Sequence, residues 1–132
     1  MAFPRNYLRF LGAMSVVFGL LYLFTPESLT GPTGFGALPP GGVTDVRATY
    51  GGLQLGFGAF LLWAAADAGR IRFALVLVAF SIGAVAASRL TGLLLDASVN
   101  PFHVSALATE ITLTALAILA LGRAGSAAAE PA

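Results

Sequence analysis

Four long apolar runs leave this chain few places to fold. Residues 7–24, 46–66, 71–95 and 102–121 are predominantly hydrophobic, each close to or beyond the span of a bilayer. A helix needs about 20 such residues to cross the hydrocarbon core, and it satisfies its own backbone groups while doing so. Transmembrane strands would alternate with period two, whereas Leu75, Val76, Leu77, Val78, Ala79 and Phe80 form an unbroken apolar run. The expected fold is therefore an all-α integral membrane protein, a bundle of four antiparallel helices.

Composition agrees. Only 10% of the 132 residues are charged and 58% are hydrophobic, against roughly 25% charged in an ordinary soluble domain. A soluble domain this small has too little interior to hide that apolar surface. A net charge of +1 offers no basic footprint for nucleic acid. Cysteine and lysine are absent, which excludes disulfides, thiolate chemistry and a Schiff base. The lone histidine, His103, makes no metal site by itself. No cofactor is implied, and an enzyme is the least favoured class.

Connections follow from the gaps. Residues 25–44 form a long loop rich in Pro and Gly, in which Phe35 and Leu38 either dip into the membrane interface or lie exposed. Residues 67–70 form a tight turn between antiparallel helices. Residues 96–100 form another short turn, and Asn100 before Pro101 is a good helix start, a side-chain cap followed by proline at the first helical position. The expectation is one four-helix domain over residues 1–122, with 123–132 as a disordered cytoplasmic tail. The first run resembles a signal peptide in its Arg5 and Arg9, but lacks a small-residue cleavage site and reads as a retained span.

Arginine placement sets the orientation. Arg5, Arg9, Arg70, Arg72 and Arg123 fall on one side of a four-pass chain. Both termini are then cytoplasmic in a bacterial inner membrane, and the long loop and the 96–100 turn lie outside. Small residues at Gly52 and Gly56, and at Ala79, Gly83 and Ala87 continued by Ser88 and Gly92, are candidate helix-packing seams. Trp63, Tyr7 and Tyr22 read as interface anchors.

The polar residues inside the spans carry the functional argument, because charges at membrane depth are costly and face partners or cavities. Arg47, Tyr50 and Gln54 follow i, i+3, i+7 on the second run; Arg89 and Asp96 do so on the third, and His103 and Glu110 on the fourth, with Thr114 a turn further in. At 1.5 Å per residue these groups reach similar depths in the outer half of the membrane. Arg47, Arg89 and Glu110 sum to +1, with Asp45, Asp96 and His103 as rim residues or a proton relay. The leading expectation is a cavity open to the outer leaflet that binds a lipid-like or quinone-like amphiphile. Arg47 and Arg89 would hold an anionic or polar head, Tyr50, Gln54 and Glu110 would line the site, and Phe57, Phe60 and Phe80 are candidate tail contacts. The alternatives are a structural Arg89–Glu110 ion pair, an accessory subunit of a larger membrane complex or homo-oligomer, and a proton-coupled transporter using Glu110. The inner halves of the runs lack a matching polar stripe, which weighs against a complete transport path.

The segment from Asp45 through Arg47, Tyr50, Gly51, Gly52 and Gln54 to Leu62 resembles the signature of a family of small four-helix bacterial membrane proteins, the domain of unknown function numbered 4345. Thr25-Pro26-Glu27-Ser28, Ser88-Arg89-Leu90-Thr91-Gly92 and Glu110 are similar to it too. The resemblance runs over about residues 7–121. It implies a four-helix membrane protein and groups Arg47, Tyr50, Gln54, Arg89 and Glu110, but supplies no activity. A looser similarity to DoxX-like membrane proteins concerns architecture alone.

Overall fold

The computed structural model describes residues 2–34, 36–96 and 100–128, and every regular element among them is helical. Helix α1 covers Ala2–Phe24 and α2 Pro26–Thr30, followed by a 3-10 turn at Gly31–Thr33. Helix α3, Pro40–Val46, runs through a π-helical stretch at Arg47–Gly52 into α4, Leu53–Ala65. Helices α5, Ala68–Leu95, and α6, Pro101–Ala128, complete the chain. Three stretches, Ala2–Phe24, Ala68–Leu95 and Pro101–Gly125, are long and apolar enough to cross a membrane. Their length and composition are those of a membrane protein.

One expectation needs correction. The second apolar run is helical, but it is not one regular α-helix: in the π-helical stretch each backbone bond reaches one residue further, so the turn widens and the side-chain phase shifts. The residues of that stretch therefore do not keep the 3.6-residue spacing assumed for them. At the other end, α6 is described as far as Ala128. Small helix-tolerant Ala residues there extend the last turn. Phe35 and residues 97–99 of the second short turn lie outside the described residues.

The caps are legible locally. The Asp67 carboxylate accepts from the Gly69 N–H at 2.7 Å and starts α5. The Asn100 side-chain oxygen accepts from the Phe102 N–H at 2.9 Å and starts α6, with Pro101 in the first helical position. Both satisfy a backbone donor that a helix start leaves without a partner.

Contacts divide the chain into two compact units, Arg9–Trp63 and Met1–Leu8 with Ala64–Ala132, a finer division than one domain over 1–122. In the second unit α5 and α6 are antiparallel. Gly125 lies against Arg72, Gly83 against Thr114, and Arg89 against Glu110. Ile71, Ala74, Leu75 and Val78 are buried at i, i+3, i+4, i+7 on α5, and Ala117, Ala120 and Ala124 on α6. That stripe spacing is what one packed helix face requires, and alanines allow the close approach that association in lipid depends on. The start of α1 joins this unit. The Tyr7 hydroxyl donates to the Leu113 carbonyl at 2.6 Å, and the Arg123 guanidinium sits 4.7 Å above the Phe3 ring. Tyr7 is thus buried in protein and is not an interface anchor, while Trp63 is 54% exposed. Tyr7→Phe removes only the hydroxyl, so a loss of about 1 kcal/mol is expected, measurable as a lower unfolding midpoint in detergent.

In the first unit α1 and α4 approach through glycine. Gly12 and Gly19 on α1 face Gly58 and Gly51. The seam expected at Gly52 and Gly56 is one residue or two away from the real one: those two glycines, like Gly92 on α5, open onto empty space. Gly83, by contrast, does pack, 3.5 Å from the Thr114 methyl.

Candidate functional site

Arg89 sits six residues before the end of α5, and Glu110 nine residues into α6. Because the helices run antiparallel, these positions lie opposite one another. The guanidinium grips the carboxylate from two nitrogens: Nε donates to Oε1 at 3.0 Å and Oε2 at 2.9 Å, and Nη2 donates to Oε1 at 2.7 Å. This planar fork on a carboxylate is the strong form of an ion pair. A third group joins from α6. Arg89 Nη1 lies 2.9 Å from His103 Nδ1. A guanidinium has donors only, so Nδ1 is the accepting nitrogen of this contact. His103 stands two turns before Glu110 on the same helix face, and the Phe102 ring meets it edge-on at 5.4 Å.

The cluster is neither sealed nor open. The Arg89 side chain is 24% exposed and that of Glu110 14%. Hydroxyls of α6 near it donate back to their own helix. Thr114 donates back to the Glu110 carbonyl at 2.8 Å, Thr109 to Ser105 at 2.9 Å, and Ser105 to Phe102 at 2.8 Å. Satisfying hydroxyls on their own helix is the usual arrangement where water is scarce. Thr114, a turn beyond Glu110, also faces α5 beside Gly83, with its hydroxyl spent on its own helix.

The other expected site residues belong to the Arg9–Trp63 unit. Arg47 is exposed, and its Nε donates to the Leu23 carbonyl at 3.0 Å, tying the π-helical stretch to the end of α1. Tyr50 packs on Tyr22 with ring centroids 5.4 Å apart. Gln54 is part-buried on α4, and Asp45 is exposed on α3. Asp96 is exposed beyond the last residue of α5, where its N–H bonds the Gly92 carbonyl. Of the residues picked out from spacing, the structure thus joins Arg89, His103 and Glu110 directly. Phe80, one of the candidate tail contacts, is 76% exposed, and Phe60 packs against Trp63.

An open cavity of about 430 Å³ lies elsewhere, in the loop after α2, lined by Glu27, Gly31, Gly34, Gly36, Ala37 and Leu38. Among the described residues it offers one carboxylate amid small and apolar side chains. In the sequence this loop stands out by its proline and glycine content and by the apolar Phe35 and Leu38.

The charges of the Ala64–Ala132 unit are unevenly spread. Its arginine-bearing end holds Arg70, Arg72 and Arg123, brought together by the antiparallel pairing of α5 with α6. Arg70 has Asp67 at 3.8 Å. The opposite end carries Asp96, Asn100 and the Arg89 cluster.

Neither the curated proteins nor the solved structures contain a match to this chain. A family model described as a domain of unknown function (DUF4345) matches residues 4–121, nearly the whole chain. The protein therefore belongs to the DUF4345 family.

Proposed function

We propose that the chain is a four-helix protein of a bacterial inner membrane, with the arginine-bearing end cytoplasmic, and that it binds a lipid-like or quinone-like amphiphile. The polar head of that ligand docks at Arg89, Glu110 and His103 in the outer half of the membrane, and its tail lies along the apolar helices. The carrying observation is an ion pair between two helices long and apolar enough to cross a membrane, which those helices leave partly uncovered. Glu110 lies about 14 Å and Arg89 about 9 Å from the ends of their helices at 1.5 Å per residue. Charged groups there are costly unless polar company completes their solvation. A head group with hydrogen-bonding atoms supplies that company. The arginines at the opposite end support the orientation, because cytoplasmic flanks of membrane helices collect Lys and Arg.

Native mass spectrometry of the protein released from mild detergent tests this. Wild type is expected to carry one retained amphiphile per chain. Arg89→Gln removes the hydrogen bonds of a charged donor, each about 1.5–3 kcal/mol, and is expected to lower retention at least tenfold. Equal retention by the folded variant would remove the cluster from consideration as the binding site.

A further inference from the structure

The arginine-bearing end of the unit formed by Met1–Leu8 and Ala64–Ala132 has too few carboxylates to match its cations. Three helices bring guanidinium groups there: Arg5 from the start of α1, Arg72 from the start of α5 and Arg123 from the end of α6. Arg70 adds a fourth, and Asp67, 3.8 Å from it, is the one carboxylate among the described residues of that end of the unit. Four arginines against one aspartate leave a surplus of three positive charges. Arg5, Arg72 and Arg123 have no ion-pair partner among the described residues. The Nε of Arg5 is also buried, with no hydrogen-bond partner there, and an unmade hydrogen bond is most costly on a charged group. Packing holds the other two in place. The Arg123 guanidinium sits 4.7 Å above the Phe3 ring of α1. Arg72 lies against α6 at Gly125, where a Cβ would come within 3.1 Å of its Nη1. Both arginines are nonetheless exposed.

We propose that this end is a docking surface for the phosphate heads of anionic phospholipids in the leaflet it meets. Helices α1, α5 and α6 each contain a stretch long and apolar enough to cross a membrane, and the ends of such helices stand among lipid headgroups. A phosphodiester there supplies what the protein lacks, a negative charge and oxygens that a guanidinium fork takes two at a time. Arg89 is the contrasting case, because Glu110 already fills its fork. A phosphate reaching Arg72 or Arg123 has no carboxylate to displace. A zwitterionic head brings its own cation and gains less from surplus positive charge. Phe73, beside Arg72 on α5, is exposed and offers apolar surface to the acyl chains of a docked lipid. The surface lies at the opposite end of the unit from the Arg89 cluster and stands independently of the amphiphile reading.

Lipid titration of the full chain in neutral-detergent micelles tests this, with dioleoyl phosphatidylglycerol as the anionic probe, dioleoyl phosphatidylcholine as the zwitterionic one and native mass spectrometry as the readout. Wild type is expected to retain phosphatidylglycerol about tenfold more tightly than phosphatidylcholine. A basic side chain at an anionic membrane surface is worth about fivefold in affinity. Arg72→Gln and Arg123→Gln are each expected to weaken phosphatidylglycerol by about that factor, and to leave phosphatidylcholine unchanged. Arg9→Gln removes the same charge from an exposed position on α1 outside this set, and is expected to change retention less than about twofold. Arg72 is exposed and makes no hydrogen bond among the described residues, so its variant carries the test if Arg123→Gln, which gives up the Phe3 contact, fails to fold. Equal retention of the two lipids by wild type, or an unchanged preference in Arg72→Gln, would overturn the docking surface. So would an equal loss in Arg9→Gln, which would mean that net charge alone attracts the lipid. Displacement of phosphatidylglycerol by an equal concentration of inorganic phosphate would assign the surface to a soluble anion instead.

Discussion

Replacing Arg89 by alanine is expected to destabilise the protein by about 2–4 kcal/mol, the largest effect of any single side-chain deletion in the α5–α6 hairpin. Glu110 would keep its place between the helices but lose all three contacts to the guanidinium, and His103 would lose the donor on its Nδ1. Breaking a fully buried pair by removing one partner costs about 3–5 kcal/mol. The partial exposure of both side chains, 24% and 14%, lets some solvation return and lowers the expectation by about 1 kcal/mol from that range. Equilibrium unfolding in mixed micelles measures it. A paired replacement separates architecture from function. Arg89→Met with Glu110→Leu removes both charges and fills similar volume, and such swaps are often neutral or stabilising. The double variant is expected within about 1 kcal/mol of wild type, yet without amphiphile retention. A double variant as unstable as Arg89→Ala would mean that the helices depend on the ion pair for their pairing.

Gly58→Ala is the second large effect. A Cβ there would lie 2.7 Å from the Gly12 carbonyl oxygen and 2.8 Å from the Val16 backbone nitrogen, both main-chain atoms of α1. Side chains can rotate out of such a clash, whereas a helix backbone can only move as a body, so α1 and α4 must separate along their contact. Overpacking of this kind costs about 1–3 kcal/mol, and the upper part of that range is expected here. Gly19→Ala meets the Leu55 nitrogen at 2.8 Å and should behave alike. Gly56→Ala is the control. Nothing lies within 4 Å of its added carbon, and alanine is the better helix former by about 1 kcal/mol, so neutral or slightly raised stability is expected. Thermal unfolding of the three variants in one detergent checks the order. If Gly56→Ala were the damaging change, the packed face of α4 would be the opposite one.

The glycines illustrate what spacing can and cannot show. A four-residue step of small residues at Gly52 and Gly56 satisfies the usual pattern for close helices, but so do other pairs in a chain with 16 glycines. Choosing among them requires knowing how α4 is rotated about its axis. That rotation follows from packing against α1, and from the π-helical stretch just before it, which shifts every later side chain relative to an ideal helix. The same stretch carries Arg47 and Tyr50, which both meet the end of α1 at Leu23 and Tyr22. The spacing of Gln54 from them reads as one face only under regular α-helical geometry. Nothing in Arg47-Ala48-Thr49-Tyr50-Gly51-Gly52 announces the wider turn beyond the permissive pair of glycines.

Arg89, His103 and Glu110 were easier, for a physical reason. Both host helices are regular over this region and joined by a short connection, so residues equally far from the turn face each other at similar height. Depth could be counted in rises of 1.5 Å, and the cost of a charge in lipid demanded a partner within reach. Counting did not reveal which carboxylate contact would be bidentate, or that the guanidinium would also engage His103 Nδ1.

Local chemistry in the chain alone therefore determined the helical class, the apolar stretches, the caps at Asp67 and Asn100, and the presence of charges that need company. Hydropathy and capping depend on neighbours a few residues away, and survive whatever the rest of the molecule does. The tertiary structure decided which glycines touch, that Tyr7 reaches the Leu113 carbonyl, and that Glu110 cancels the charge of Arg89 while Arg47 is spent on Leu23. Those outcomes turn on the rotation of whole helices about their axes. Each rotation is fixed by contacts between residues far apart in the chain, so no window of sequence contains it.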